Sequence, residues 1–125
     1  MPMSRTIFVA DDDPVLLRGL DVALSGRGYE VRTAPDGPAL LSMMETQRPD
    51  LLLLDIMMPG MSGLEVLRRI RSDNRWAGLP VMMVTAVPES VADLGPDTPD
   101  VVAKPFRLQD LLERIEQRLG SGQEG

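Results

Sequence analysis

The chain has 125 residues, 43% of them hydrophobic and 26% charged, which suits one domain with a single core and little else. Its net charge of −6 argues against direct nucleic-acid binding. Cysteine and histidine are both absent, which excludes disulfides, thiolate metal sites, Cys or His catalysis and phosphohistidine; any chemistry must use carboxylates, hydroxyls, lysine, backbone amides or a hard metal ion.

Residues 6–10 (Thr-Ile-Phe-Val-Ala) read as a short buried strand that runs into Asp11-Asp12-Asp13-Pro14. Asp13 before Pro14 has the form of a helix cap followed by proline at the first helical position. Leu16, Leu17, Leu20 and Leu24 then space as a helix that ends near Gly26 or Gly28. Residues 29–33 alternate as a second strand. Asp36-Gly37-Pro38 starts a second helix, which ends before Pro49. Leu51 to Leu54 are four consecutive leucines, the composition of a strand buried on both faces, and they stop on Asp55. Ser62 and Glu65 are spaced as a capping box for a third helix with Leu64, Leu67 and Ile70 along one side. Residues 80–85 read as a fourth strand ending on Thr85, and residues 101–103 as a fifth ending before Lys104-Pro105. Leu108, Leu111, Leu112, Ile115 and Leu119 give the clearest helical spacing in the chain, closed by Gly120. Between Thr85 and Val101 the prolines leave room for at most a short or irregular fourth helix, around residues 89–94. Residues 120–125 read as a flexible tail.

Five strands alternating with helices predict an α/β fold, a doubly wound five-stranded parallel sheet. Asp11, Asp12, Asp55, Thr85 and Lys104 each follow or close a predicted strand. In such a sheet these ends share one edge, so the five residues are expected to meet in one crevice. Each is unremarkable alone: an Asp opens turns, Thr finishes strands, and most lysines are surface lysines. Together, three carboxylates repel one another and call for a cation, and an all-oxygen donor set favours a hard ion such as Mg²⁺. An aspartate so placed can attack a phosphoryl group, with the Thr85 hydroxyl and the Lys104 ammonium free to meet its oxygens. No apolar run reaches the roughly 18 residues of a membrane span. The start, Met1-Pro2-Met3-Ser4-Arg5, lacks a signal-peptide core. No membrane association is expected, and the cytoplasm is the expected compartment.

Four pieces in order carry a resemblance: Ile7-Phe8-Val9-Ala10-Asp11-Asp12-Asp13-Pro14, Leu54-Asp55-Ile56-Met57-Met58-Pro59-Gly60-Met61-Ser62-Gly63, Val84-Thr85-Ala86 and Ala103-Lys104-Pro105-Phe106. Over residues 5–119 the chain resembles the receiver domain of two-component response regulators. The resemblance implies a flavodoxin-like sheet of order 2-1-3-4-5. Asp55 is then the phosphoacceptor, with Asp11, Asp12, Asp55 and the Met57 backbone carbonyl holding Mg²⁺. It also implies Thr85 as the switch hydroxyl, Lys104 as the phosphoryl contact and a cis peptide between Lys104 and Pro105. The implied donor is a histidine kinase or histidine phosphotransfer protein, and the output is altered binding of a protein target. The chain is then not an enzyme in its own right.

Two departures stand out. Val101 occupies a position that is usually aromatic in the family, and the segment before it is short and proline-rich. Phosphorylation is therefore expected to reorder the loop over residues 87–100 instead of turning an aromatic side chain inward. Met57 and Val87, flanking the site, are apolar and offer nothing to position an attacking water, so a long-lived phosphorylated state is expected. Two other readings stay open at this point: a degenerate receiver that only docks proteins, and a small Mg²⁺-dependent phosphatase.

Overall fold

The apolar runs form five parallel strands: β1 (Thr6–Ala10), β2 (Glu30–Ala34), β3 (Leu51–Leu54), β4 (Val81–Thr85) and β5 (Asp100–Ala103). This computed structural model describes residues 4–88 and 99–120. The strands lie in the order β2-β1-β3-β4-β5, as expected. Four helices are present among the described residues: α1 (Pro14–Ser25), α2 (Gly37–Thr46), α3 (Gly63–Arg71) and α4 (Leu108–Leu119). The helix expected around residues 89–94, most of the loop expected to reorder, and the tail after Gly120 lie outside the described residues.

The period of two along each central strand divides the core between the two faces of the sheet. Phe8, Ala10, Leu52, Leu54 and Met83 point to one face, where Leu40 and Met44 of α2 and Val66, Leu67 and Ile70 of α3 cover them. Ile7, Val9, Leu51, Leu53, Met82 and Val84 point to the other, against Leu17, Leu20 and Leu24 of α1 and Leu111, Leu112, Ile115 and Leu119 of α4. All four leucines of β3 are at most 1% exposed, so each contributes about 2 kcal/mol of burial. β2, at one sheet edge, instead alternates exposed and half-buried positions until Ala34.

The expected caps are present. Asp13 accepts from the amides of Val15 and Leu16, and Asp36 accepts from that of Ala39. Ser62 accepts from the Glu65 amide at 3.3 Å, one half of the capping box. The Glu65 carboxylate turns along the helix to Arg69 at 3.2 Å instead of closing the other half. Four strand limits move by a residue, both ends of β2 and the starts of β4 and β5. Tyr29 falls outside β2 because its amide is taken by the Leu24 carbonyl at the end of α1. β5 begins at Asp100, paired with Met82 of β4. The composition also did not signal the 3-10 turn Asn74–Trp76 between α3 and β4, which buries Trp76.

Candidate functional site

The site residues are placed by continuing the sheet ladder one step past its strands. The Asp11 amide donates to Ala34 of β2, the Asp55 amide to Ala10 of β1, and the Lys104 amide to Thr85 of β4, at 3.1, 3.0 and 2.8 Å. Asp11, Asp55 and Lys104 are thus each fixed by a hydrogen bond from their own backbone to the neighbouring strand end. The sheet order reverses between β1 and β3, and this crevice at the strands' carboxyl ends is where doubly wound sheets place their ligands.

The side chains converge there. Lys104 Nζ donates to Asp11 Oδ2 at 2.7 Å and to Asp55 Oδ2 at 3.3 Å. Asp11 Oδ1 also accepts from the Asp13 amide at 2.9 Å, and Asp55 Oδ1 from the Met57 amide at a long 3.4 Å. Asp11 and Asp55 are buried, whereas Asp12 is exposed at the rim. One carboxylate oxygen from each of the three lies within 4.8 Å of the others. An all-oxygen set gathered this closely has the chemistry a hard cation such as Mg²⁺ prefers. Asp11, Asp12 and Asp55 therefore form a donor set that fits such an ion.

Burial raises the Asp11 pKa above its ordinary value, opposed by hydrogen bonds from Lys104 and the Asp13 amide and reinforced by the nearby Asp55. Burial works against charge on Lys104 as well, yet its pKa is raised, because the bond to Asp11 and the charges of both aspartates outweigh it. The asymmetry has a simple origin: the lysine faces two carboxylates, while Asp11 faces one lysine and a second carboxylate.

Thr85 ends β4 fully buried, and its hydroxyl oxygen accepts from the Val87 amide at 3.1 Å. It borders the crevice without a direct bond to the carboxylates. The Lys104–Pro105 peptide is cis, as the resemblance implied. Met57 is 61% exposed at the mouth of the site.

Two features carry weight that their sequence signals did not announce. Gly63, at the first position of α3, lies so close beneath the Asp55 carbonyl that an added Cβ would run into it. The one signal for it is a glycine immediately after the Ser62 cap. The other is a cleft of about 620 Å³ beside Lys104, lined by Val15, Leu16, Leu20, Ala86, Phe106 and Leu108 among others. Val15 and Val22 on α1 are 79% and 68% exposed, and Leu108 is 45% exposed. No helix among the described residues is long and apolar enough to cross a membrane.

A family model described as the response regulator receiver domain matches residues 7–116. Similar curated proteins include the response regulator MprA of Mycobacterium bovis, 44% identical over 116 residues that make up 90% of this chain and 50% of that protein. The DNA-binding response regulator MtrA of Mycolicibacterium smegmatis is 39% identical over 120 residues, 94% of this chain and 51% of that one. The chain spans about half the length of the curated relatives it matches. Among solved structures, the response regulator TrrA of Thermotoga maritima, in complex with Mg²⁺-BeF, superposes with a TM-score of 0.81 at 34% identity. That match covers 92% of this chain and 99% of TrrA. The carboxylate crevice, the sheet that builds it and these relatives agree: the chain belongs to the receiver domain family of two-component response regulators.

Proposed function

We propose that Asp55 accepts a phosphoryl group from a phosphohistidine on a histidine kinase or histidine phosphotransfer protein. The observation that carries this reading is the meeting of Asp11, Asp12, Asp55 and Lys104 at the carboxyl edge of the sheet. In the transfer, an Asp55 carboxylate oxygen bonds to phosphorus as the bond from phosphorus to the donor nitrogen breaks. Asp11, Asp12 and Asp55, with the Met57 carbonyl, would hold Mg²⁺, which when bound would offset the negative charge of the phosphoryl oxygens. The Mg²⁺-BeF complex of TrrA supports that choice of ion. Lys104, already 3.3 Å from Asp55, pairs with a phosphoryl oxygen as a point charge. The Thr85 hydroxyl oxygen already accepts from Val87, so its proton is free to donate to another.

This chain has no histidine, so the phosphohistidine must come from a partner. The exposed apolar side chains of Val15, Val22 and Leu108, next to the Lys104 cleft, suit the face on which that partner sits. On this reading the chain is a receiver and not a turnover enzyme, so steady hydrolysis of small phosphomonoesters is not expected. No DNA contact is assigned to this chain, whose net charge is −6.

Borohydride tests the reading chemically. It reduces an acyl phosphate to an alcohol, so protein treated with acetyl phosphate and Mg²⁺ should yield homoserine at position 55 in a peptide map. Homoserine elsewhere, or none, would contradict the assignment.

A further inference from the structure

Seven of the nine methionines lie among the described residues, and six of them are buried or half-buried: Met43, Met44, Met58, Met61, Met82 and Met83. Met57 is 61% exposed. It is also tied to the site, because its amide donates to Asp55 Oδ1 at 3.4 Å. Its side chain shares an open hollow with Asp12, Met58, Pro59 and Ser62. The most oxidant-accessible thioether of the described chain therefore stands at the mouth of the carboxylate crevice, two residues from Asp55.

We infer that Met57 is a redox-modification site for oxidants of the peroxide class, and that its sulfoxide shortens the life of the phosphorylated state. With hydrogen peroxide, a sulfur lone pair takes one oxygen as the O–O bond breaks. The thioether is oxidised by two electrons to the sulfoxide, and the peroxide is reduced to water. Dithiol-dependent sulfoxide reduction reverses the change. A thioether is a weak hydrogen-bond acceptor, whereas a sulfoxide oxygen is a strong one. Placed in the hollow shared with Asp12, that oxygen orients a water towards a phosphoryl group on Asp55. In the hydrolysis, the water oxygen bonds to phosphorus as the bond to the Asp55 oxygen breaks, and both water protons end on inorganic phosphate. This consequence rests on the phosphoacceptor reading; the selective oxidation does not.

The test has two readouts on the full chain. Peptide mapping after graded hydrogen peroxide is expected to find Met57 oxidised ahead of the other six described methionines; oxidation that does not favour it would overturn the inference. Intact-mass decay of the phosphorylated protein is then followed for untreated protein, peroxide-treated protein, Met57→Gln and peroxide-treated Met57→Leu. Gln places an amide oxygen where the sulfoxide oxygen stands. Oxidised protein and Met57→Gln are expected to lose the phosphoryl group about fivefold faster than untreated protein, the effect of one modest hydrogen bond. Peroxide should not speed the loss in Met57→Leu. Equal lifetimes in oxidised and untreated protein, or an equal peroxide effect in Met57→Leu, would overturn the inference. Untreated protein that takes no phosphoryl group would instead sink the phosphoacceptor reading, and with it the sulfoxide's consequence, while leaving the oxidation map standing.

Discussion

Lys104 is the residue whose surroundings are most telling. Its ammonium offsets two carboxylates that would otherwise be buried without a counter-charge. Replacement by methionine, Lys104→Met, is expected to cost about 2 kcal/mol in metal-free buffer near pH 8, measured by urea unfolding. The pH dependence follows from the direction of its shift. A lysine whose folded pKa is raised contributes in full below its unfolded value of about 10.5, and that contribution is lost as pH rises through the higher folded value. The stability gap between wild type and Lys104→Met should therefore narrow as pH is taken above 10.5. A constant gap would mean that the ion pairs contribute nothing. At this scale the site was legible, because Asp55 and Lys104 each close an apolar run before a turn and no other lysine competes for the role. Which carboxylate Lys104 favours was not legible. The shorter bond to Asp11 depends on side-chain geometry 93 residues apart in sequence.

Among the elements, the start of α3 is the most constrained. Gly63 lets the helix begin directly beneath the β3 terminus, and its amide donates to the Ile56 carbonyl at 2.8 Å. Gly63→Ala would force the loop after Asp55 to move. It is expected to destabilise the fold by about 2 kcal/mol and to weaken Mg²⁺ binding, read by urea unfolding and metal titration. Wild-type stability and metal affinity in that variant would refute the close approach. Strands and caps were legible from β-branched and leucine runs and from Asp13, Asp36 and Ser62, since these signals are local. The 3-10 turn was not. Arg75 anchors it by pairing with Glu45 of α2 at 2.7 Å while its guanidinium lies over the Trp76 ring, contacts that no local pattern encodes. The start of β2 falls a residue late for a similar reason, because the end of α1 captures the Tyr29 amide.

At the scale of the whole molecule, the sheet gathers residues from four strand ends while α1 and α4 leave Val15, Val22 and Leu108 in solvent beside them. If that face receives the donor, Val15→Glu and Leu108→Glu should slow transfer from a phosphohistidine protein about tenfold more than transfer from acetyl phosphate. Equal slowing with both donors would place the donor elsewhere. Intact mass decides whether the crevice makes Asp55 a cation-dependent phosphoacceptor. Folded protein is incubated with acetyl phosphate in three arms: with Mg²⁺, with the metal removed by chelation, and as Asp55→Asn with Mg²⁺. A single phosphoryl adduct is expected in the first arm and none in the other two. An adduct that survives in Asp55→Asn or forms without metal, or no adduct in any arm, would contradict that role.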